Sequence, residues 1–210
     1  TAGPVLAQEG VRVLQFGWEA PDAAGYARHA KSILGAPFDG ITVGFRAGGE
    51  DAPVACRPDT VWDAARFPRD VFDGDIRIMK TVAGRAGRDD VLRINTSRGY
   101  GDAARGRAPR DWFDATAWRA TVHNSACVAR YASRAGFRGI LFDPEDYGDP
   151  AFRFEPKSGR TFAEPPRRVR RCGREWMDAL QKAMPDIVIY TMWFASLEVD
   201  QVRGFARPRG

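Results

Sequence analysis

Two rhythms of apolar positions alternate along the chain, one with the period of a strand and one with the period of a helix. Residues 11–18 alternate faces as a strand does, and Glu19-Ala20-Pro21-Asp22 then opens a helix with proline in its first turn. Tyr26, Ala30, Ile33 and Leu34 form that helix's apolar stripe, and Gly35 is expected to stop it as a left-handed C′ glycine. Residues 38–45 return to the strand pattern. A Gly/Pro/Arg segment, 46–59, reads only as a loop. From 60 to 82 the spacing is helical but interrupted by Pro68 and Gly74, which predicts a short helix and then a second one ending near Gly84. Residues 91–97 form the third expected strand, followed by a long polar loop, 98–110. The next helix is capped by Asp111 or Asp114, carries Trp118, Val122, Ala126 and Ala129 on one face, and ends at Gly136. The fourth strand starts at Phe137 and runs into a cluster of carboxylates. After another long loop, Pro165-Pro166 opens a helix striped by Val169, Cys172, Trp176, Leu180 and Ala183, and 187–193 is the fifth strand.

Five alternations of strand and helix imply a parallel sheet covered by helices. The helix-to-strand links are short, whereas three of the four strand-to-helix links exceed ten residues. Long loops therefore gather at the C-terminal ends of the strands, where (β/α)8 barrels and doubly wound sheets both bind ligands. The first strand ends in Phe16-Gly17-Trp18-Glu19 without a phosphate-binding glycine loop, which favours the barrel. The expected fold class is thus α/β, a TIM (β/α)8 barrel of which 11–210 supplies the first five units. Residues 1–10 are expected to form a flexible N-terminal segment.

Composition changes this picture little. The net charge of +5 over 210 residues comes mostly from arginine spread along the chain, the pattern of solvated surfaces. Five arginines, Arg167, Arg168, Arg170, Arg171 and Arg174, crowd one helix around its apolar stripe. They read as a solvated face, so no nucleic-acid partner is expected. No apolar run approaches the roughly 18 residues of a membrane span. The three cysteines form no C-x-x-C pair. Val5-Leu6-Ala7 resembles the small-x-small site before signal cleavage, which points to secretion or the periplasm as part of a longer protein.

Chemistry concentrates at the expected rim. Trp18 and Glu19 follow the first strand, Arg46 the second, Asn95, Ser97 and Arg98 the third, Asp143, Glu145 and Tyr147 the fourth, and Trp193 the fifth. Asp143 and Glu145 share a strand face with Cα atoms about 6.5–7 Å apart, so each raises the other's pKa and one can stay protonated as a general acid. Flat aromatic faces with acids and amides between them are the means by which sugars are held.

The run Phe137-x-Gly139-Ile140-x-x-Asp143-x-Glu145 resembles the fourth-strand signature of chitinase-type glycoside hydrolases. By that resemblance Glu145 is the acid that protonates the glycosidic oxygen, and Asp143 orients the substrate's N-acetyl group as internal nucleophile. The family's earlier aspartate falls on Leu141 here, and the aromatic between its two acids falls on Pro144. A longer stretch, from Gln15-Phe16-Gly17-Trp18 through Asp111-Trp112-Phe113-Asp114 to the fifth strand, resembles bacterial barrel proteins described as glycoside hydrolases. In a two-carboxylate mechanism Glu145 would keep its role and its partner would lie on a strand beyond these five.

The expected function is hydrolysis of a poly- or oligosaccharide, with Glu145 and Asp143 catalytic. Trp18, Glu19, Arg46, Asn95, Arg98, Tyr147 and Trp193 are the expected substrate-binding residues, with no cofactor and no metal. Two other readings stay open: a metal-dependent barrel enzyme using the same carboxylates as ligands, and a barrel that binds carbohydrate without turnover. His123 and Cys127, one helical turn apart, lack a third ligand for a metal. Ser97 has no histidine placed to activate it.

Overall fold

The structure is a computed structural model that describes residues 11–17, 19–47, 54–96, 111–144, 161 and 163–192. Its strands are β1 (Leu14–Gln15), β2 (Gly40–Val43), β3 (Val91–Asn95), β4 (Gly139–Asp143) and β5 (Val188–Thr191). All neighbours pair in parallel, in the order β1-β2-β3-β4-β5, and the sheet curls into a half-barrel. A doubly wound sheet reverses its strand order at a switch point, and this order has no reversal.

The helices are α1 (Ala23–Arg28), α2 (Ala30–Leu34), α3 (Asp73–Thr81), α4 (Ala115–Ala135) and α5 (Glu164–Ala183). Packing settles which face of the sheet they cover. Ile41, Val43, Phe45, Leu92, Ile94 and Ile140 are buried in the hydrophobic core beneath the helices, with Phe142 and Ile189 packed against it. Side chains alternate along a strand, so Thr42, Arg93, Asn95, Leu141, Asp143 and Tyr190 lie on the other, concave face. The polar residues of β3 and β4 therefore point away from the core.

Three features hold the helices to the sheet. Between β4, α4 and α5, Trp62 meets Trp112, Trp118 and Trp176 with ring centroids 6.0, 5.9 and 6.2 Å away, and stacks on Phe142 at 5.9 Å. Two of the indoles donate to side-chain oxygens: Trp176 Nε1 to Ser125 Oγ at 2.8 Å, and Trp118 Nε1 to Glu175 Oε2 at 2.6 Å. Asn124, fully buried on α4, clamps the segment before α3. Its Oδ1 accepts from the Phe67 amide at 2.8 Å, and its Nδ2 donates to the Val61 and Ala65 carbonyls at 3.2 and 2.9 Å.

The third feature is a bracket at the N-terminal ends of the strands. The buried Asp90 carboxylate accepts from Tyr26 Oη (2.7 Å), the Ile41 amide (3.0 Å), Arg85 Nε (3.2 Å) and Arg88 Nε (3.3 Å). Arg85 also donates to the Ala135 carbonyl and lies 4.1 Å above the Phe137 ring. One carboxylate thus joins α1, β2, the loop before β3 and the end of α4. A charge buried this deeply needs such a full set of donors.

Local signals in the sequence worked where they were chemical. Asp114 caps α4 by accepting from the Thr116 and Ala117 amides at 2.8 and 3.0 Å, while Asp111 holds only the turn before it, accepting from Phe113. Gly136 ends α4 in the left-handed region at φ 73°. Gly35, by contrast, sits at φ −84°, so it ends α2 without the left-handed turn expected of it. The first helix is two, α1 and α2, parted at His29 (φ −105°, ψ 14°). The two helices expected over 60–82 are a single α-helix, α3, preceded by a 3-10 turn at Pro58–Thr60. Gly74 is absorbed into α3, since tertiary packing of Ile76 and Met79 outweighs its cost of about 1 kcal/mol. The expected loop over 46–59 contains an antiparallel bridge between Ala47 and Cys56.

Candidate functional site

The mouth of the half-barrel is built by β3 and β4. Asn95 and Asp143 are the last residues of their strands and are Cα partners in the parallel register, on strands about 4.8 Å apart. The ladder continues one step further, with the Thr96 amide donating to the Asp143 carbonyl at 3.0 Å. Because Phe142 stacks under the helices, Asp143 is on the concave face, and so is its partner Asn95. Both are buried, at 0% and 5% exposure. A carboxyl and a carboxamide thus stand side by side at the strand ends.

One layer deeper, about 6.5–7 Å along the strands, the register aligns Arg93, Leu141 and Tyr190. Arg93 and Tyr190 were not among the residues expected at the site. An arginine between Leu92 and Ile94 in a buried strand is the trace that Arg93 left in the sequence: a charge there has to face something other than the core. Tyr190 shows no such contrast, because a tyrosine in a strand is unremarkable.

The remaining expected residues divide in two. Glu19, ahead of α1, and Arg46, after β2, are both exposed, and neither is drawn into the Asn95–Asp143 pair by the described hydrogen bonds. Glu145, Trp18, Arg98, Tyr147 and Trp193 lie outside the described residues, as does Ser97.

His123 and Cys127 do meet, with Sγ 3.6 Å from Nε2, but both are engaged elsewhere. His123 Nε2 lies 2.9 Å from the Phe67 carbonyl, an acceptor only, so that nitrogen carries the proton. Arg130 donates to Cys127 Sγ at 2.9 Å, and burial pushes the thiol's pKa up. A metal would need the opposite state of both groups. Among the described residues no group of three or more His, Cys, Asp or Glu side chains is placed to hold a metal ion. No described helix is long and apolar enough to cross a membrane.

No family model matches the chain, and no curated protein matches it. Among solved structures it is similar to a GH18 chitinase from Pseudoalteromonas aurantia, with a TM-score of 0.37 and 16% identity over 86% of this chain and 55% of that one. The chain thus spans about half the length of that chitinase.

Proposed function

We propose that this chain is part of a glycoside hydrolase, with Glu145 as general acid/base and Asp143 orienting the substrate beside it. The observation that carries the reading is the placement of Asp143: fully buried, at the C-terminal end of β4, on the concave face and beside Asn95. The sequential parallel sheet puts the mouth of the half-barrel where barrel enzymes work. Glu145 follows two residues after Asp143, so an extended chain returns it to the same face. Asp143 and Asn95 would grip the substrate's polar substituents while Glu145 delivers a proton to the leaving oxygen.

The test is to follow new reducing ends on neutral, acidic and N-acetylated glycans with the intact protein and its Glu145→Gln and Asp143→Asn variants. Each variant keeps its side chain's shape while removing the acid. The expected result is cleavage by the wild type of one glycan class and a loss of at least ~10²-fold in Glu145→Gln. An equally active Glu145→Gln would end the assignment. Wild-type activity abolished by a chelator and restored by Mg²⁺ would replace it with metal-dependent chemistry.

A further inference from the structure

A pocket of about 530 Å³ opens at the opposite end of the sheet, below the N-terminal ends of β1, β3, β4 and β5. Arg12, Arg88 and Arg138 line it, with Asp89, Phe137 and Tyr190 between them. Two of the guanidiniums are engaged. Arg12 spans Asp39 (3.4 Å) and Asp89 (3.3 Å), and Arg88 holds Asp90 through Nε at 3.3 Å. Arg88 Nη2 is enclosed and has no hydrogen-bond partner among the described residues, so donor capacity is left on that wall. Arg138 is exposed, and no described carboxylate lies within 4 Å of its guanidinium. Arg12, Arg85 and Arg88 pair with Asp39, Asp89 and Asp90, three charges against three, which leaves the Arg138 charge unmatched among the described residues.

The backbone holds these groups in place. The Arg138 amide donates to the Asp90 carbonyl at 2.8 Å, its carbonyl accepts from Val188 at 3.3 Å, and the Asp89 amide donates to Asp39 at 2.9 Å. The arginines therefore stand on strand ends and a bonded loop, which fixes where their side chains start.

We infer that this pocket binds a small organic phosphate. Donors arriving from three strand ends, the whole Arg138 fork and the nitrogens of Arg12 and Arg88 that their aspartates leave over, suit a tetrahedral oxyanion with several acceptor oxygens better than a planar carboxylate, which a single fork satisfies. The volume exceeds one phosphate and leaves room for the carbon skeleton against Phe137 and Tyr190, within the range of small-ligand sites. The pocket reaches up to Tyr190 and no further along the strands, at the far end from Asp143. Binding there is thus separate from the chemistry proposed for the mouth.

The test titrates inorganic phosphate into the intact protein, following the ³¹P line width against chloride of matched ionic strength, with acetate as the carboxylate probe. Saturable broadening is expected for the wild type and for Arg170→Ala, whose arginine is exposed on α5. Arg138→Ala and Arg12→Ala, checked for native dichroism, should each raise the phosphate Kd about tenfold, the loss of one charge-assisted contact. Absence of saturable broadening overturns the proposal, as does an unchanged Kd in Arg138→Ala. Competition by acetate as effective as phosphate itself overturns the assignment to phosphate.

Discussion

Replacing Asp90 by asparagine keeps the side chain's shape and removes its charge. Four donors point at that carboxylate, from Tyr26, Ile41, Arg85 and Arg88. An amide offers one oxygen to them and turns an NH₂ towards the rest, so at least one donor loses its acceptor. Arg85, only 7% exposed, is then left with a buried charge and no carboxylate beside it. Removing one partner of a buried pair costs about 3–5 kcal/mol. For a chain of this length that is a fall in Tm of roughly 6–20 °C, against a total stability of about 5–15 kcal/mol. Tyr26→Phe deletes one donor without stranding a charge and should cost less, about 1.5–3 kcal/mol as a hydrogen bond to an ionised group. Combined with Asp90→Asn it should add less than its separate cost, since both act on one contact. Urea unfolding followed by far-ultraviolet dichroism gives all four corners of the cycle. A loss below about 1 kcal/mol in Asp90→Asn would refute the idea that this bracket holds the strand ends together.

Two further predictions concern stability elsewhere. Burial, with repulsion from Asp22 second, raises the pKa of Asp75 to about 6, and its Oδ2 is enclosed without a hydrogen-bond partner among the described residues. The folded state therefore holds this proton more tightly than the unfolded chain, whose aspartates titrate near 3.9, so stability is lost as pH rises from about 4 to about 6. Asp75→Asn should match the wild type near pH 4 and exceed it by about 1–2 kcal/mol at pH 7.5, allowing for the side chain's partial exposure; equal urea midpoints at pH 7.5 would contradict this. Gly139 pairs with Val188, and a Cβ on it would run into the Val188 carbonyl and amide. Gly139→Ala should cost more than about 3 kcal/mol, because backbone rather than a pliable side chain has to move, and a melting temperature within 2–3 °C of wild type would show that β5 yields easily.

The parts of this fold legible in the sequence were those with a short-range cause. Asp114 and Gly136 bound α4 because a cap and a left-handed turn are set within a few residues. The stripe Val169, Cys172, Trp176, Leu180 and Ala183 was read correctly on α5, where Cys172, Trp176 and Leu180 are buried and the other two pack at the edge. On α4 the expected face was off its axis: Trp118 and Ala129 are buried, Val122 and Ala126 only half-buried, and Thr121, Asn124, Ser125 and Val128 are buried beside them. The partners of Asn124 and Ser125, Val61, Phe67 and Trp176, are more than fifty residues away, and periodicity carries no information about them. The same holds for Asp90, which reads as an ordinary acid until Tyr26 and two arginines converge on it. At the mouth, spacing put Asn95 and Asp143 on strand ends. Only the stacking of Phe142 under Trp62 and Trp176 decided that Asp143 faces away from the helices.

The tryptophan stack between β4, α4 and α5 has an optical consequence. Four of the chain's six tryptophans stand within one cluster, each with a neighbouring ring centroid about 6 Å away or closer. Indoles this close couple their excited states, so this one place is expected to contribute strongly to the near-ultraviolet dichroism. Trp62 comes from the segment that Asn124 clamps, Trp112 from the turn before α4, Trp118 from the first turn of α4, and Trp176 from α5. Light absorbed there is an internal gauge of whether three separate pieces of chain are seated on the strand that ends in Asp143.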